Sequence, residues 1–282
     1  MKNAGIWLGK AAIVWLVLVV GQMVGGMAGM AVAHAPMADA VGDGPISGPQ
    51  AVAVINLIFA LVLGAQASNM SLTPWRKAIV LFVILYGVES VLSLIEAVYF
   101  GTYLKLPPET YVVAAVTNGI KAAAGAVVAA WLWRSNDPQG FAWPRGLWWK
   151  LPVIIPIYIV FYFGAGFLIA WQGEAVRTFY AQGLHIDAGQ LALLQVGRAL
   201  IWGGLGVVSV AALRGTAMRK ALLTGLAFAV FMAIALLYPT SFMPWAVRQF
   251  HIVEIFTSNF LFGMVTALIL LIGGKARAGT EA

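Results

Sequence analysis

The run from Ala78 to Gly101, AIVLFVILYGVESVLSLIEAVYFG, decides the fold. At 1.5 Å per residue a helix of this length reaches about 36 Å, enough to cross the roughly 30 Å hydrocarbon core of a bilayer. Only Glu89 and Glu96 are charged. Apolar residues otherwise cover every face, as a helix wrapped by lipid and by other apolar helices requires.

Seven further stretches read the same way, at roughly 11–33, 50–68, 110–133, 151–172, 189–213, 221–238 and 247–273. Pro- and Gly-rich segments such as His34–Pro49, Asn69–Pro74, Lys105–Pro108, Ser135–Pro144 and Pro239–Pro244 divide them. No gap could hold a folded soluble domain. The whole 282-residue chain agrees, with 62% hydrophobic and 10% charged residues and a mean hydropathy of +0.91. A water-facing surface carries roughly 25–35% charged residues. The expected fold class is an all-α, polytopic membrane helical bundle of eight transmembrane helices.

Basic residues set the orientation. With the N-terminus in the cytoplasm, the inner segments carry Lys2, Lys10, Arg76, Lys77, Arg134, Arg145, Lys150, Arg214, Arg219, Lys220, Lys275 and Arg277. The outer loops carry Lys105, Arg177 and Arg248. That asymmetry follows the positive-inside rule and places both termini in the cytoplasm, with a bacterial inner (plasma) membrane as the expected location. Tryptophans near the span ends, such as Trp75, Trp131, Trp148 and Trp171, suit the interface. Ala33-His34-Ala35 imitates a signal-peptidase site, but the preceding apolar run is too long for a signal peptide, so the first helix is read as retained.

The halves of the chain resemble each other. Arg76-Lys77-Ala78 returns as Arg219-Lys220-Ala221, Lys10 as Lys150, Gly48-Pro49-Gln50 as Ala188-Gly189-Gln190, and Thr117-Asn118 as Ser258-Asn259. The offset stays near half the chain length throughout, and the matches keep one order. Residues 1–140 and 141–282 are therefore read as two four-helix repeats. An even helix number keeps them parallel, related by an axis along the membrane normal. Gly21, Gly25 and Gly29 share one face of the first helix and are expected to let a neighbour pack closely.

A net charge of +7 might suggest nucleic acid, but these cations sit in short loops between apolar runs rather than on one wetted face, so no nucleic-acid partner is expected. The absence of Cys excludes disulfides and thiolate chemistry. No Walker loop, G-x-S-x-G or H-E-x-x-H occurs.

Function is sought where charge is expensive. An ionised side chain at the bilayer centre costs roughly 2.5–3.5 kcal/mol by insertion. Glu89, Lys121 and Asn259 fall at one depth; Glu96, Arg198 and Glu254 fall further out, with Asn118 and Gln195 one turn from Lys121 and Arg198. Glu89 and Glu96, two turns apart, should share nearly one helix face. These eight residues are expected to turn inward, meet and form a substrate or ion pathway, with one carboxylate left over for a cation or proton. His34, His185 and His251 all lie on the outer side, and His251 shares a helix face with Glu254. Imidazole and carboxylate suit a divalent metal, which makes these three histidines the candidate ligands, although no other cofactor is expected.

The expected function is a small permease or channel-like transporter, with the bilayer, a small-molecule, ion or lipid substrate, and a membrane-protein or homo-oligomeric partner as its company. A non-catalytic subunit or assembly factor is one alternative. A membrane-embedded enzyme on a lipid-linked substrate, with His251 and Glu254 as outer-face acid and base, is another, and it is the less favoured because no nucleophile is evident.

Overall fold

The computed structural model describes residues 2–35, 42–181 and 187–273, so His185, Lys275 and Arg277 lie outside the described residues. Helix α1 (Lys2–Ala33) is followed by α2 (Gly48–Ser68). The third span begins as α3 (Pro74–Tyr86), widens into a π-helical turn over Gly87–Leu92, and ends as α4 (Ser93–Leu104). Then come α5 (Pro108–Leu132), α6 (Leu147–Leu168), a 3-10 turn at Ala170–Gln172 and the short α7 (Glu174–Ala181). Helices α8 (Ala188–Ala212), α9 (Ala217–Ala233, with a 3-10 turn Ile234–Leu237) and α10 (Trp245–Leu271) complete the bundle. Among the described residues eight helices are long and apolar enough to cross a membrane, and the chain is a multi-pass membrane protein.

Local chemistry sets the helix starts. Prolines open α2, α3 and α5, where the missing amide hydrogen costs nothing. Asp187 accepts from the Gln190 amide at 2.9 Å to cap α8, and Thr216 accepts from the Arg219 amide at 3.2 Å to cap α9.

Lipid offers no hydrophobic drive for helices to pair, so small residues and close backbone contact must supply it. Helix α1 lies along α5 through the expected glycine face: a Cβ on Gly25 would stand 2.8 Å from the Thr117 carbonyl oxygen, and one on Gly29 2.9 Å from that of Val113. In α9 and α10 the contact is glycine on glycine, where a Cβ on Gly263 would stand 2.8 Å from the Gly225 Cα. Between these pairs α2 meets α9, and α3 with its π-turn meets α8, around buried Phe59, Trp202, Phe228, Phe231 and Phe262.

The two ends of the bundle are closed differently. At the end where α1 begins, here the basic end, Met70 and Leu213 form a single antiparallel bridge. Three lysines insert there into helix C-termini, whose last carbonyls lack partners. Lys77 Nζ donates to Ala67 O at 3.0 Å and also to Trp133 O. Lys150 Nζ donates to Leu270 O at 2.8 Å and Ile272 O at 2.7 Å, and Lys220 Nζ to Val210 O at 3.3 Å. These lysines are buried, not the loop cations that sequence suggests.

The opposite end needs a similar correction. Arg248, expected in an outer loop, is buried and donates to the carbonyls of Met243 (2.9 Å), Leu236 (2.7 Å), Tyr238 and Asp43. Asp43 accepts in turn from the Trp245 amide at 2.5 Å, and its backbone bridges Thr240. One guanidinium thus ties the α1–α2 connection to the start of α10.

Candidate binding site

The charges within the spans sort into two separate clusters, because of the π-turn. In an unbroken α-helix two turns bring Glu96 back within about 20° of Glu89. An extra residue in one turn rotates everything after it by about 100°. Glu89, inside the wide turn, meets α5, while Glu96, beyond it, meets α8. The expectation of one shared face is corrected accordingly.

The first cluster is dry. Lys121 Nζ bonds Glu89 Oε1 in a salt bridge whose side chains are 0% and 3% exposed. The ammonium also stands 5.2 Å from the centre of the Phe59 ring. Glu89 Oε2 is buried without a partner. Nearby, Gln22 Oε1 accepts from Asn56 Nδ2 at 2.6 Å and from the Tyr238 hydroxyl at 2.8 Å.

The second cluster surrounds a cavity of about 680 Å³ between α4, α6, α7, α8 and α10. Arg198 Nη1 lies 2.9 Å from Glu96 Oε1 and donates to Gln195 Oε1 at 3.1 Å. Tyr162 donates to the same Glu96 oxygen at 3.1 Å, and Tyr158 to Gln195 Oε1 at 3.2 Å. The guanidinium stands over the rings of Tyr158 and Tyr162 at 5.9 and 5.8 Å. Nearer the α7 end, His251 Nδ1 pairs with Glu254 Oε2 at 2.7 Å, and the Tyr180 hydroxyl meets His251 Nε2 at 3.1 Å. Burial, with the carboxylates of Glu96 and Glu254 adding to it, keeps the Tyr180 phenol above its ordinary pKa.

The cavity reaches Ser258 and Asn259, mid-way along α10. Of a packed group of rings beyond them, Tyr158 lines the cavity: it lies 5.1 Å from Phe262 and 6.3 Å from Trp202, which lies 4.5 Å from Phe228. Trp202 and Phe262 stand about one turn past Arg198 and Asn259 toward the basic end.

Of the eight pathway candidates, Glu96, Arg198, Glu254 and Asn259 line this cavity, with Gln195 bonded to its wall. Glu89 and Lys121 pair away from it. Asn259, expected beside them, belongs with Glu96 instead. Asn118 is half-buried on α5 and outside the lining. Of the metal candidates, His251 has both ring nitrogens engaged, His34 ends α1 in a left-handed conformation (φ 51°), and His185 lies outside the described residues. Among the described residues no three His, Asp or Glu side chains could together hold a metal ion.

Sequence reasoning missed Tyr158, Tyr162, Tyr180 and the whole of α7. One signal was present. Tyr158 and Tyr162 are four positions apart, as Gln195 and Arg198 are three apart, so each pair projects from one helix face.

Family models, curated proteins and solved structures were all compared with this chain, and none of them matches it.

Proposed function

We propose that this membrane protein is a permease-like transporter whose binding chamber is the cavity around Glu96 and Arg198. The carrying observation is the chamber itself: about 680 Å³ of space, walled by a hydrogen-bonded ion pair and reaching mid-way along a spanning helix. Ligand sites for drug-sized molecules occupy about 300–1,000 Å³ and combine apolar walls with a few polar groups. A helix bundle needing only mechanical strength would fill such a space with side chains.

Orientation and duplication are parts of the same proposal. With Lys77, Lys150, Lys220 and Arg248 removed from the tally as buried, the basic end still carries the excess of Lys and Arg, which supports placing it in the cytoplasm and the chamber on the outer side. The two-repeat reading is supported by Lys77 on Ala67 and Lys220 on Val210, the same bond made at equivalent positions of the two halves. Met70 and Leu213, which the same alignment makes equivalent, bridge each other, as residues beside a twofold axis would. On this reading the chamber, walled by α4 of the first half and by α6, α8 and α10 of the second, answers to the Gln22–Asn56–Tyr238 cluster, which likewise joins the two halves.

Catalysis at His251 is the weaker reading. A general base must hold a free nitrogen toward its substrate. Here Nδ1 is bound to Glu254 and Nε2 to Tyr180, while Ser258 donates to its own helix and Ser93 to the Met232 sulfur.

The test is flux. Purified protein in liposomes should accelerate counterflow of at least one labelled solute in a broad screen, and Arg198→Gln should abolish it. Equal rates for the native protein and for Arg198→Gln across that screen would overturn the reading.

A further inference from the structure

The chamber walls select a class of occupant. Eight lining side chains are aromatic, with Tyr158, Tyr162 and Trp171 among them. Aromatic faces carry negative potential and attract cations, most strongly where water is excluded. One cation already uses them, since Arg198 stands over two of the rings.

Charge arithmetic points the same way. The ionisable groups on the wall, tyrosines apart, are Glu96, Glu254, Arg198 and His251. Arg198 and Glu96 cancel each other. The Tyr180 hydroxyl lies 3.1 Å from His251 Nε2 and Glu254 Oε2 lies 2.7 Å from Nδ1, contacts that the neutral ring with its hydrogen on Nδ1 satisfies. With the ring neutral, two carboxylates face one guanidinium and the wall carries one net negative charge.

Both carboxylates line the space. Glu96 Oε1 takes the bonds from Arg198 and Tyr162, and Oε2 takes no part in them. Glu254 Oε2 is taken by His251, while its Oε1 sits 3.5 Å from where a Cβ on Gly166 would be. Glycine at that point leaves room for the carboxylate beside α6.

We propose that the chamber takes an organic cation with a bulky apolar body, its charge beside Glu254 and Glu96, its body against the rings. This rests on the reading of the cavity as a binding chamber. An anion of the same shape meets an uncompensated carboxylate, and the one guanidinium is already held by Glu96 and Gln195.

Tetraphenylphosphonium and tetraphenylborate share a four-ring shape and carry opposite charge, so they isolate the sign. Equilibrium dialysis of the whole protein in a neutral detergent, corrected with empty micelles, should show saturable binding of the phosphonium at least tenfold tighter than of the borate. Glu254→Gln should cut that ratio to about threefold or less, while Glu174→Gln on α7, outside the lining, should leave it unchanged. The native comparison stands even if Glu254→Gln fails to fold. Equal or tighter binding of the borate overturns the cation assignment and leaves the chamber in place. Failure of both ions to bind above empty micelles also overturns it, and the flux assay then decides the transport reading separately. Binding of the phosphonium with no flux of any solute keeps the present inference and removes transport.

Discussion

Arg198 and Glu96 hold each other across the chamber wall, Nη1 to Oε1 at 2.9 Å, with the arginine side chain 3% and the glutamate 23% exposed. The pair joins α8 to α4. Replacing Glu96 by Gln leaves a buried cation with neutral amide acceptors and no counter-charge, and should lower stability by about 1–2 kcal/mol, the upper range for polar contacts between membrane helices. Thermal unfolding in detergent measures this. A double-mutant cycle with Arg198→Gln should return a coupling above about 0.6 kcal/mol, and a coupling near zero would remove the pair as a tie between the helices.

Glu89 and Lys121 form a drier pair, and their singles should behave unlike their double. Either Glu89→Gln or Lys121→Met strands one partner in the core and should cost about 3–5 kcal/mol. Changing both together removes the unpaired charge, so most of that loss should be recovered. Chemical or thermal denaturation of the three variants checks it, and a double variant no better than the worse single would contradict the account.

Gly25 is where α1 and α5 come closest to sharing one backbone surface. Gly25→Ala would put a methyl 2.8 Å from the Thr117 carbonyl oxygen, and the helices would have to separate. A loss of about 1–3 kcal/mol is expected, typical of overpacking. Gly26→Ala, with open space at its Cβ, is the control and should be neutral. Matching melts of the two variants would show that the glycine face does not govern packing.

Arg248→Gln removes donors from four carbonyls at once. Each carbonyl left buried and unpaired costs about 1–3 kcal/mol, part of it recovered by water. A net loss of about 2–3 kcal/mol is expected, together with faster proteolysis on the Leu237–Pro244 connection than in the native protein. Unchanged cleavage there would mean that other contacts suffice to hold that end.

Deleting one residue of the π-turn, Val91 for example, should restore an ordinary helix and swing Glu96 by about 100° away from Arg198. The Glu89–Lys121 pair lies on the other side of the deletion and should persist. Crosslinking between cysteines placed at Ala97 and Gly197, compared with and without the deletion, reads the rotation directly. An unchanged crosslinking pattern would show that the wide turn does not set the helix face.

The eight spans were legible because length and apolar content suffice to specify a membrane helix. The charge pairs were partly legible too, since the cost of burying Glu89, Lys121, Glu96 and Arg198 demands partners. What stayed hidden was register. A π-turn leaves no periodicity signal in a run apolar on every face, so the two glutamates looked aligned. Tyr158 and Tyr162 pass as apolar rings until an acceptor is seen beside the hydroxyl. Lys77 and Lys220 look like headgroup cations in sequence, because a lysine reaching lipid phosphate and one reaching a helix C-terminus occupy the same position in the chain. Helix α7 is too short and too polar to resemble a span, although it delivers Tyr180 to His251.

The rings of Tyr158, Trp202, Phe228 and Phe262 pack between the inner end of the chamber and the basic end of the bundle. If the chamber serves the proposed transport, passage onward needs several packed side chains to yield in concert. Such collective shifts belong to the microsecond-to-millisecond range. On the proposed transport reading, Phe262→Ala thins that barrier and exchanges a gated step for a leak.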